Sequence, residues 1–320
     1  MTEIGGYFGL EDFKGEEYHL NAIRLNSARN AIIYIMKVKK IQKIFIPYFL
    51  CDSVKNVLVR EKFLFEEYHI DEELMPIIDF ELKENEYILI VNYFGQILPS
   101  EMINLKNKLQ NIIIDNTQSF YSKEIKDIVS FNSCRKFFGV SDGSYLYIEN
   151  ELEEKIDNDF SGDRMTHIIG RYEKDASEYY KYFVQNDKKM ISEPLKQMSA
   201  LTQNLLKVID YDRTFDQRNI NYDFLFEEFH KINKLKLKKI KGAFCYPLYI
   251  EDGEKIREVL ISKKIYIPLL WPEVLKKNEI SVLEGDFARN IVHLPCDQRY
   301  DIDDMKKVVK EVKKCLNLEN

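Results

Sequence analysis

Lys136 lies in the stretch Asp127-Ile-Val-Ser-Phe-Asn-Ser-Cys-Arg-Lys136-Phe-Phe-Gly-Val-Ser-Asp-Gly-Ser-Tyr-Leu-Tyr-Ile148, where an apolar strand leads in and another leads out. Beside Phe137 and Phe138 an ammonium is partly desolvated. Desolvation lowers its pKa and favours the neutral, nucleophilic amine that Schiff-base chemistry needs. The plain alternative is a lysine that snorkels from a loop to water, so its company must decide. Asp115 ends the apolar run Asn111-Ile-Ile-Ile-Asp115, where a carboxylate is costly to bury unless a cation or a protonated ring nitrogen pairs with it. An aspartate that merely caps the turn through Asn116 and Thr117 is the competing reading. Gln118, three residues on, is within reach of the same ligand.

The segment Asn26-Ser27-Ala28-Arg29 opens a helical pattern and offers free backbone amides, a hydroxyl and the positive end of a helix dipole. Together these suit a phosphate, although an ordinary capped helix accounts for the same residues. Ser133 adds a strand-end hydroxyl three residues before Lys136. A desolvated lysine, a strand-end carboxylate, a phosphate cradle and a nearby hydroxyl each answer one group of pyridoxal phosphate. The lysine holds it as a Schiff base, the aspartate pairs with its ring nitrogen, and the amides and hydroxyls hold its phosphate.

The elements that must position these residues follow from periodicity. Ala28, Ala31, Ile32, Ile35 and Val38 recur at helical spacing from Ser27 to Lys39. A strand at Lys43 to Pro47, a helix from Cys51 to Arg60, a segment from Phe63 to Tyr68, a strand at Tyr87 to Tyr93, a helix near Ser100 to Leu109 and the strand ending at Asp115 come next. Such alternation predicts an α/β fold with a mostly parallel sheet, strands covered on both faces and right-handed crossovers. Ligands then gather at the carboxyl ends of the strands, where Asp115, Tyr93 and residues 130–136 fall. A long helix is expected from about Pro194 through Asp216, continuing into Tyr222 to Ile232. After it come a strand at Ala243 to Ile250, a helix at Gly253 to Lys263, a strand at Asn290 to Leu294 and a closing helix at Asp301 to Leu316. The expected division is a large cofactor-binding domain at 1–215 and a small α/β domain at 216–320. Lys234-Leu-Lys-Leu-Lys238 alternates with period two and reads as an edge strand with gatekeeper lysines.

At this point the chain resembles the sugar-nucleotide aminotransferases of the DegT/DnrJ/EryC1/StrS group, which are fold-type I pyridoxal-phosphate enzymes. The residues that carry the resemblance are Asn92-Tyr-Phe-Gly-Gln96, Ile114-Asp-Asn-Thr-Gln118, Ser130-Phe131 followed by Lys136, Asp142-Gly143, Gln197-Met-Ser199 and Leu294-Pro295. It implies that Lys136 is the Schiff-base lysine, that Asp115 pairs with the ring nitrogen and that Gln118 approaches the ring hydroxyl. The phosphate-binding serine is either Ser130 or Ser133. The family's aromatic ring stacker aligns with Cys51, so Tyr48 or Phe49 stands in for it. The partner-subunit asparagine of the family is replaced by Leu195. Tyr93, Arg299 and Tyr7 are the expected substrate contacts, with Arg299 and Tyr300 in a loop suited to a carboxylate. Gly5-Gly-Tyr7, Arg135-Lys-Phe-Phe-Gly139 and Asp297-Gln-Arg-Tyr300 mark a short branch associated with surface-polysaccharide synthesis. The resemblance thus implies a homodimeric aminotransferase that takes an amino group from glutamate to a nucleotide-linked keto-sugar. Alternatives are a non-catalytic or regulatory binding protein on the same fold, or another pyridoxal-phosphate reaction such as dehydration.

Composition bounds these readings. With 320 residues, 45% hydrophobic and 31% charged, the chain can bury a large core. A net charge of -6 argues against a nucleic-acid partner. No apolar run is long enough to span a membrane and the amino terminus lacks signal-peptide regions, so a cytoplasmic protein is expected. The five cysteines and five histidines fall in no metal-ligand spacing, and no metal is expected. No G-x-G-x-x-G follows the first strand, which disfavours a nucleotide-sugar dehydrogenase.

Overall fold

The computed structural model describes residues 4–277 and 281–318. Seven strands form one sheet: β1 (Ile23–Leu25), β2 (Lys43–Pro47), β3 (Leu64–Tyr68), β4 (Glu86–Val91), β5 (Ile112–Asp115), β6 (Val129–Phe131) and β7 (Ser144–Tyr147). Their order is β1-β7-β6-β5-β4-β2-β3. The pairs β3/β2, β2/β4, β4/β5 and β5/β6 are parallel, whereas β7 runs antiparallel to both β6 and β1. The helices α1 (Ala28–Val38), α2 (Asp52–Arg60) and α3 (Pro99–Leu109) connect strands of this sheet. The central strands bury residues on both faces, with Ile88, Leu89, Ile113 and Ile114 all without exposed surface. Each such side chain contributes about 1.5–3 kcal/mol to folding. That is why these strands read as continuous apolar runs.

After β7 come α4 (Thr166–Glu173), α5 (Ala176–Ser192), α6 (Ala200–Leu206) and α7 (Tyr211–Phe229). The single long helix expected from Pro194 to Asp216 is therefore two helices. The break falls where the Asp210 carboxylate accepts the Arg213 amide at 3.0 Å and starts a new helix, as an N-cap aspartate does. The expected division at 215/216 lies inside α7, which runs unbroken across it. A second hydrophobic core gathers α7, α8 (Gly253–Ser262), α10 (Ile302–Cys315) and the antiparallel pair β8 (Tyr246–Tyr249) and β9 (Ile291–Leu294). Preceding β9, α9 (Val282–Asn290) packs Phe287 and Ala288 into the main core instead.

Residues 234–238 form no strand. Leu235 and Leu237 turn into the cores, as the alternation demands, but the Lys238 amide donates to Gln96 Oε1 and the Leu235 amide to Asn233 Oδ1 rather than to a ladder. Alternation reported burial correctly and pairing wrongly. Among the described residues no helix is long and apolar enough to cross a membrane.

Candidate active site

Because β7 reverses twice against its neighbours, β1 points the same way as β2, β4, β5 and β6, and α1 begins at the edge where those strands end. That edge gathers Ser27 to Arg29, the turn 48–51 after β2, the turn 92–96 after β4, the turn 115–118 after β5, and residues 133–136 after β6. The backbone joins them: Gly143 N–H donates to Asn26 O at 2.8 Å, Asn92 N–H to Asp115 O at 3.0 Å, and Asn116 N–H to Phe131 O at 2.7 Å.

Lys136 ends a short 3-10 turn, Cys134–Lys136, and its Nζ donates to Thr117 Oγ1 at 3.3 Å. Water reaches the side chain through the open crevice, yet the protein packed around the ammonium lowers its pKa from the ordinary value. The opening limits that desolvation, and Asp115 is the strongest influence in the other direction. Asp115 is 5% exposed, and burial raises its pKa while Lys136 and Thr117 act against the rise. Its Oδ1 accepts the Thr117 amide at 2.8 Å, so the aspartate caps its turn and faces the lysine's field at once.

Gln118 is 1% exposed. Its Oε1 accepts the Phe94 amide at 2.8 Å, and its Nε2 is buried without a hydrogen-bond partner. A buried donor left unpaired costs about 1–3 kcal/mol, so an acceptor belonging to a ligand is the natural complement. Phe94 itself has φ 55°, an uncommon conformation for a bulky residue. At the other side of the edge Ser27 caps α1 through the Asn30 amide at 3.3 Å, and the free first-turn amides at Ala28 and Arg29 present a positive dipole end. Arg29, Cys51 and Asp187 all act electrostatically on Lys136. An amine, a carboxylate that needs a cation, an orphaned amide donor and a helix start fit the imine carbon, ring nitrogen, ring oxygen and phosphate of pyridoxal phosphate.

Register separates the two serines. Ser130 pairs with Ile114 and Phe131 with Asp115, and successive residues of a strand face opposite sides of a sheet. Ser130 therefore faces away from Asp115. Ser133, at the start of the lysine turn and 8% exposed, is the serine beside the crevice.

The remaining expected site residues have partners of their own. Tyr93 is 2% exposed and its hydroxyl donates to Phe49 O at 2.5 Å, which removes it from any substrate. Phe49 is a core residue against Tyr93, Trp271 and Phe287. The Tyr48 ring lies 3.3 Å from Lys277 Nζ and beside His69. Of that turn Cys51, half-buried at the start of α2, acts on the lysine. Tyr7 is 97% exposed. Arg299 is engaged by Asp297 through bonds of 2.7 and 2.8 Å, in a loop whose Gln298 Nε2 donates to Phe137 O at 2.7 Å.

The resemblance had marked Asp142-Gly143 and Gln197-Met-Ser199 as separate motifs, and the structure joins them. The Asp142 carboxylate accepts the Ser199 amide and hydroxyl, each at 2.8 Å, and the Thr202 hydroxyl. Sequence reasoning missed Arg218 and Asn186. Arg218 is 1% exposed and donates to Ala243 O at 2.7 Å and Phe137 O at 3.4 Å. Asn186 donates to Ser141 O at 3.1 Å from α5. Neither carries a local signal, because each meets the lysine loop only after the chain has folded back.

No family model matches the chain, and no curated protein matches its sequence. Solved structures do match in fold. A DegT DnrJ EryC1 StrS aminotransferase from Brucella abortus superposes with a TM-score of 0.61 at 11% identity, covering 92% of this chain and 85% of the other. The fold is that of the DegT/DnrJ/EryC1/StrS aminotransferases. A sugar aminotransferase from Micromonospora echinospora gives a TM-score of 0.65 at 11% identity, over 92% and 88% of the two chains. NtdA from Bacillus subtilis, solved with its cofactor PMP bound, gives 0.66 at 12% identity, over 92% and 73%. The resemblance seen in short motifs thus extends over the architecture of the DegT/DnrJ/EryC1/StrS group, at identities that speak for fold alone.

Proposed function

We propose that the chain is a pyridoxal-phosphate-dependent aminotransferase that passes an amino group from glutamate to a nucleotide-linked keto-sugar, acting as a cytoplasmic homodimer in surface-polysaccharide synthesis. The observation that carries the reading is the meeting of Lys136 and Asp115 at the carboxyl edge of the sheet, each the strongest charge acting on the other. The fold shared with sugar aminotransferases supports the acceptor class. Near-complete exposure of Ile4, Tyr7 and Phe8, at 97–98%, and of Tyr172, at 93%, supports a second copy that covers them.

When bound, the cofactor supplies an electron sink for the carbon that carries the amine. Asp115 holds a proton on the ring nitrogen by presenting a desolvated carboxylate to it. Gln118 Nε2 donates to the ring oxygen, and the first-turn amides of α1 with Ser27 and Ser133 hold the phosphate. Lys136, with its lowered pKa, would hold the cofactor, and its Nζ is the base that would hold or move a proton at a donor's α-carbon. In this reading Arg299 exchanges its bonds to Asp297 for a carboxylate of the donor.

The test is visible absorbance of the purified protein with pyridoxal phosphate, before and after glutamate, then after a keto-sugar nucleotide. A band that bleaches with glutamate and returns with the acceptor is expected. A band that ignores glutamate selects the binding-protein or dehydration alternatives.

A further inference from the structure

Two donors from outside the main sheet converge on one carbonyl, that of Phe137, the residue directly after Lys136. Gln298 Nε2, in the loop between β9 and α10, donates to it at 2.7 Å. Arg218 Nη2, on α7, donates at 3.4 Å, while Nη1 donates to Ala243 O at 2.7 Å and the guanidinium lies 4.5 Å from the centre of the Phe137 ring. One turn further along α7, Asn221 Nδ2 donates to the carbonyls of Asp297 and Tyr300, at 3.2 and 2.9 Å. One face of α7 therefore holds both the lysine turn and the loop that carries Gln298.

A guanidinium 1% exposed is costly to keep. Among the described residues no carboxylate pairs with it, its Nε is without a partner, and Gln298 Oε1 is likewise buried and unpaired. A lysine loop that only needed packing would be served by an apolar side chain in that place. What Arg218 and Gln298 supply instead is a fixed direction for the Phe137 carbonyl, in the peptide between Phe137 and Phe138. Anchoring Phe137 anchors the residue bonded directly to Lys136, and so limits where the lysine side chain starts and how deeply its ammonium sits in the crevice.

We infer that Arg218 and Gln298 are positioning residues for Lys136, and that through them the α7 and 296–300 segments set the reactivity of the lysine amine. The inference rests on the proposed role of Lys136 but concerns the chain's own amine. When either donor is lost, the turn relaxes toward water and the pKa of Lys136 rises toward its ordinary value.

The experiment is competitive labelling of Lys136 by an amine-selective acylating reagent across pH, in the full chain without added cofactor, read by mass spectrometry with Lys123 as internal control. Gln298→Ala, on a half-buried residue, is the main variant, and Arg218→Lys, which keeps charge but not the fork, is the second. Expected is a labelling midpoint shifted upward, so that Lys136 labels about threefold more slowly near pH 8 for a shift of half a unit, with Lys123 unchanged and the chain still folded at the labelling temperature. Gln298→Glu, which keeps an acceptor but loses the donor, should shift like Gln298→Ala. Unchanged Lys136 profiles in both Gln298 variants overturn the inference. Cofactor binding is scored separately: a wild type that takes no pyridoxal phosphate, with shifted profiles in the variants, sinks the proposed function and leaves the positioning role standing.

Discussion

The Phe94 amide and the Gln118 side chain are joined at 2.8 Å, and that bond sets which end of the Gln118 amide faces the crevice. Oxygen is committed to the backbone, so Nε2 is left buried and unpaired. The same bond holds Phe94 at φ 55°, a conformation that costs of order 1–3 kcal/mol. A strained residue and an orphaned donor side by side mark a place kept ready for an acceptor.

Gln118→Glu keeps the oxygen that receives Phe94 and removes the donor. Affinity for pyridoxal phosphate should weaken about tenfold or more, the equivalent of one hydrogen bond of about 1.4 kcal/mol. Fluorescence of Trp271, the single tryptophan, provides the titration. Equal affinities in variant and wild type would remove Gln118 from the site.

Asp115→Asn removes the charge that most raises the Lys136 pKa. The labelling midpoint of Lys136 should therefore move down. Turnover should fall about 100-fold or more, as when a preorganised electrostatic partner is lost. A midpoint that moves up contradicts the assigned pairing.

Asp142→Ala leaves the Ser199 amide and the Thr202 hydroxyl without their acceptor. Each buried group so orphaned costs about 1–3 kcal/mol, so urea denaturation should register a loss of about 3 kcal/mol. Gly143, at φ 116° and bonded to Asn26, would lose its neighbouring anchor. Unaltered stability would show that the carboxylate does not tie α6 to the β7 entry.

Acid should destabilise the fold through two buried histidines. His19 Nε2 lies 2.7 Å from Phe120 O, so Nε2 carries the hydrogen and Nδ1 accepts from the Tyr147 hydroxyl. His293 Nδ1 donates to Pro268 O. Burial pushes each pKa down to about 4 from an ordinary 6.5. The unfolded chain takes up protons first as pH falls, so this stability is full above about pH 6.5 and is lost progressively toward pH 4, by about 1.4 kcal/mol per unit and per histidine. Urea midpoints measured between pH 4 and 7 check the slope, and His19→Gln should reduce it by roughly half.

The strands around the site were legible because their burial is two-sided: Asn111 to Asp115 and Tyr87 to Tyr93 read as apolar runs, and the strands observed are Ile112–Asp115 and Glu86–Val91. Lys136, Asp115, Gln118 and the α1 start could be picked out as candidates because each ends or begins such an element, and the fold brings them to one edge of the sheet. Ser133 could be separated from Ser130 only through the register of β6 against β5. Tyr93 was misjudged because position after a strand does not reveal that its hydroxyl turns inward to Phe49 O. The break between α6 and α7 was hidden under continuing helical periodicity. Arg218 was invisible, and Gln298 showed only as a member of Asp297-Gln-Arg-Tyr300, because α7 and the 296–300 loop meet the lysine turn only in three dimensions.

The central claim is that Lys136 is the amine that holds the cofactor. The most direct measurement is borohydride reduction of the protein with pyridoxal phosphate, followed by peptide mapping. The mass of a reduced pyridoxyl group on Lys136, absent from Lys136→Ala and displaced by prior treatment with glutamate, is the predicted result. A stable adduct on another lysine, with Lys136 unmodified, would contradict the account.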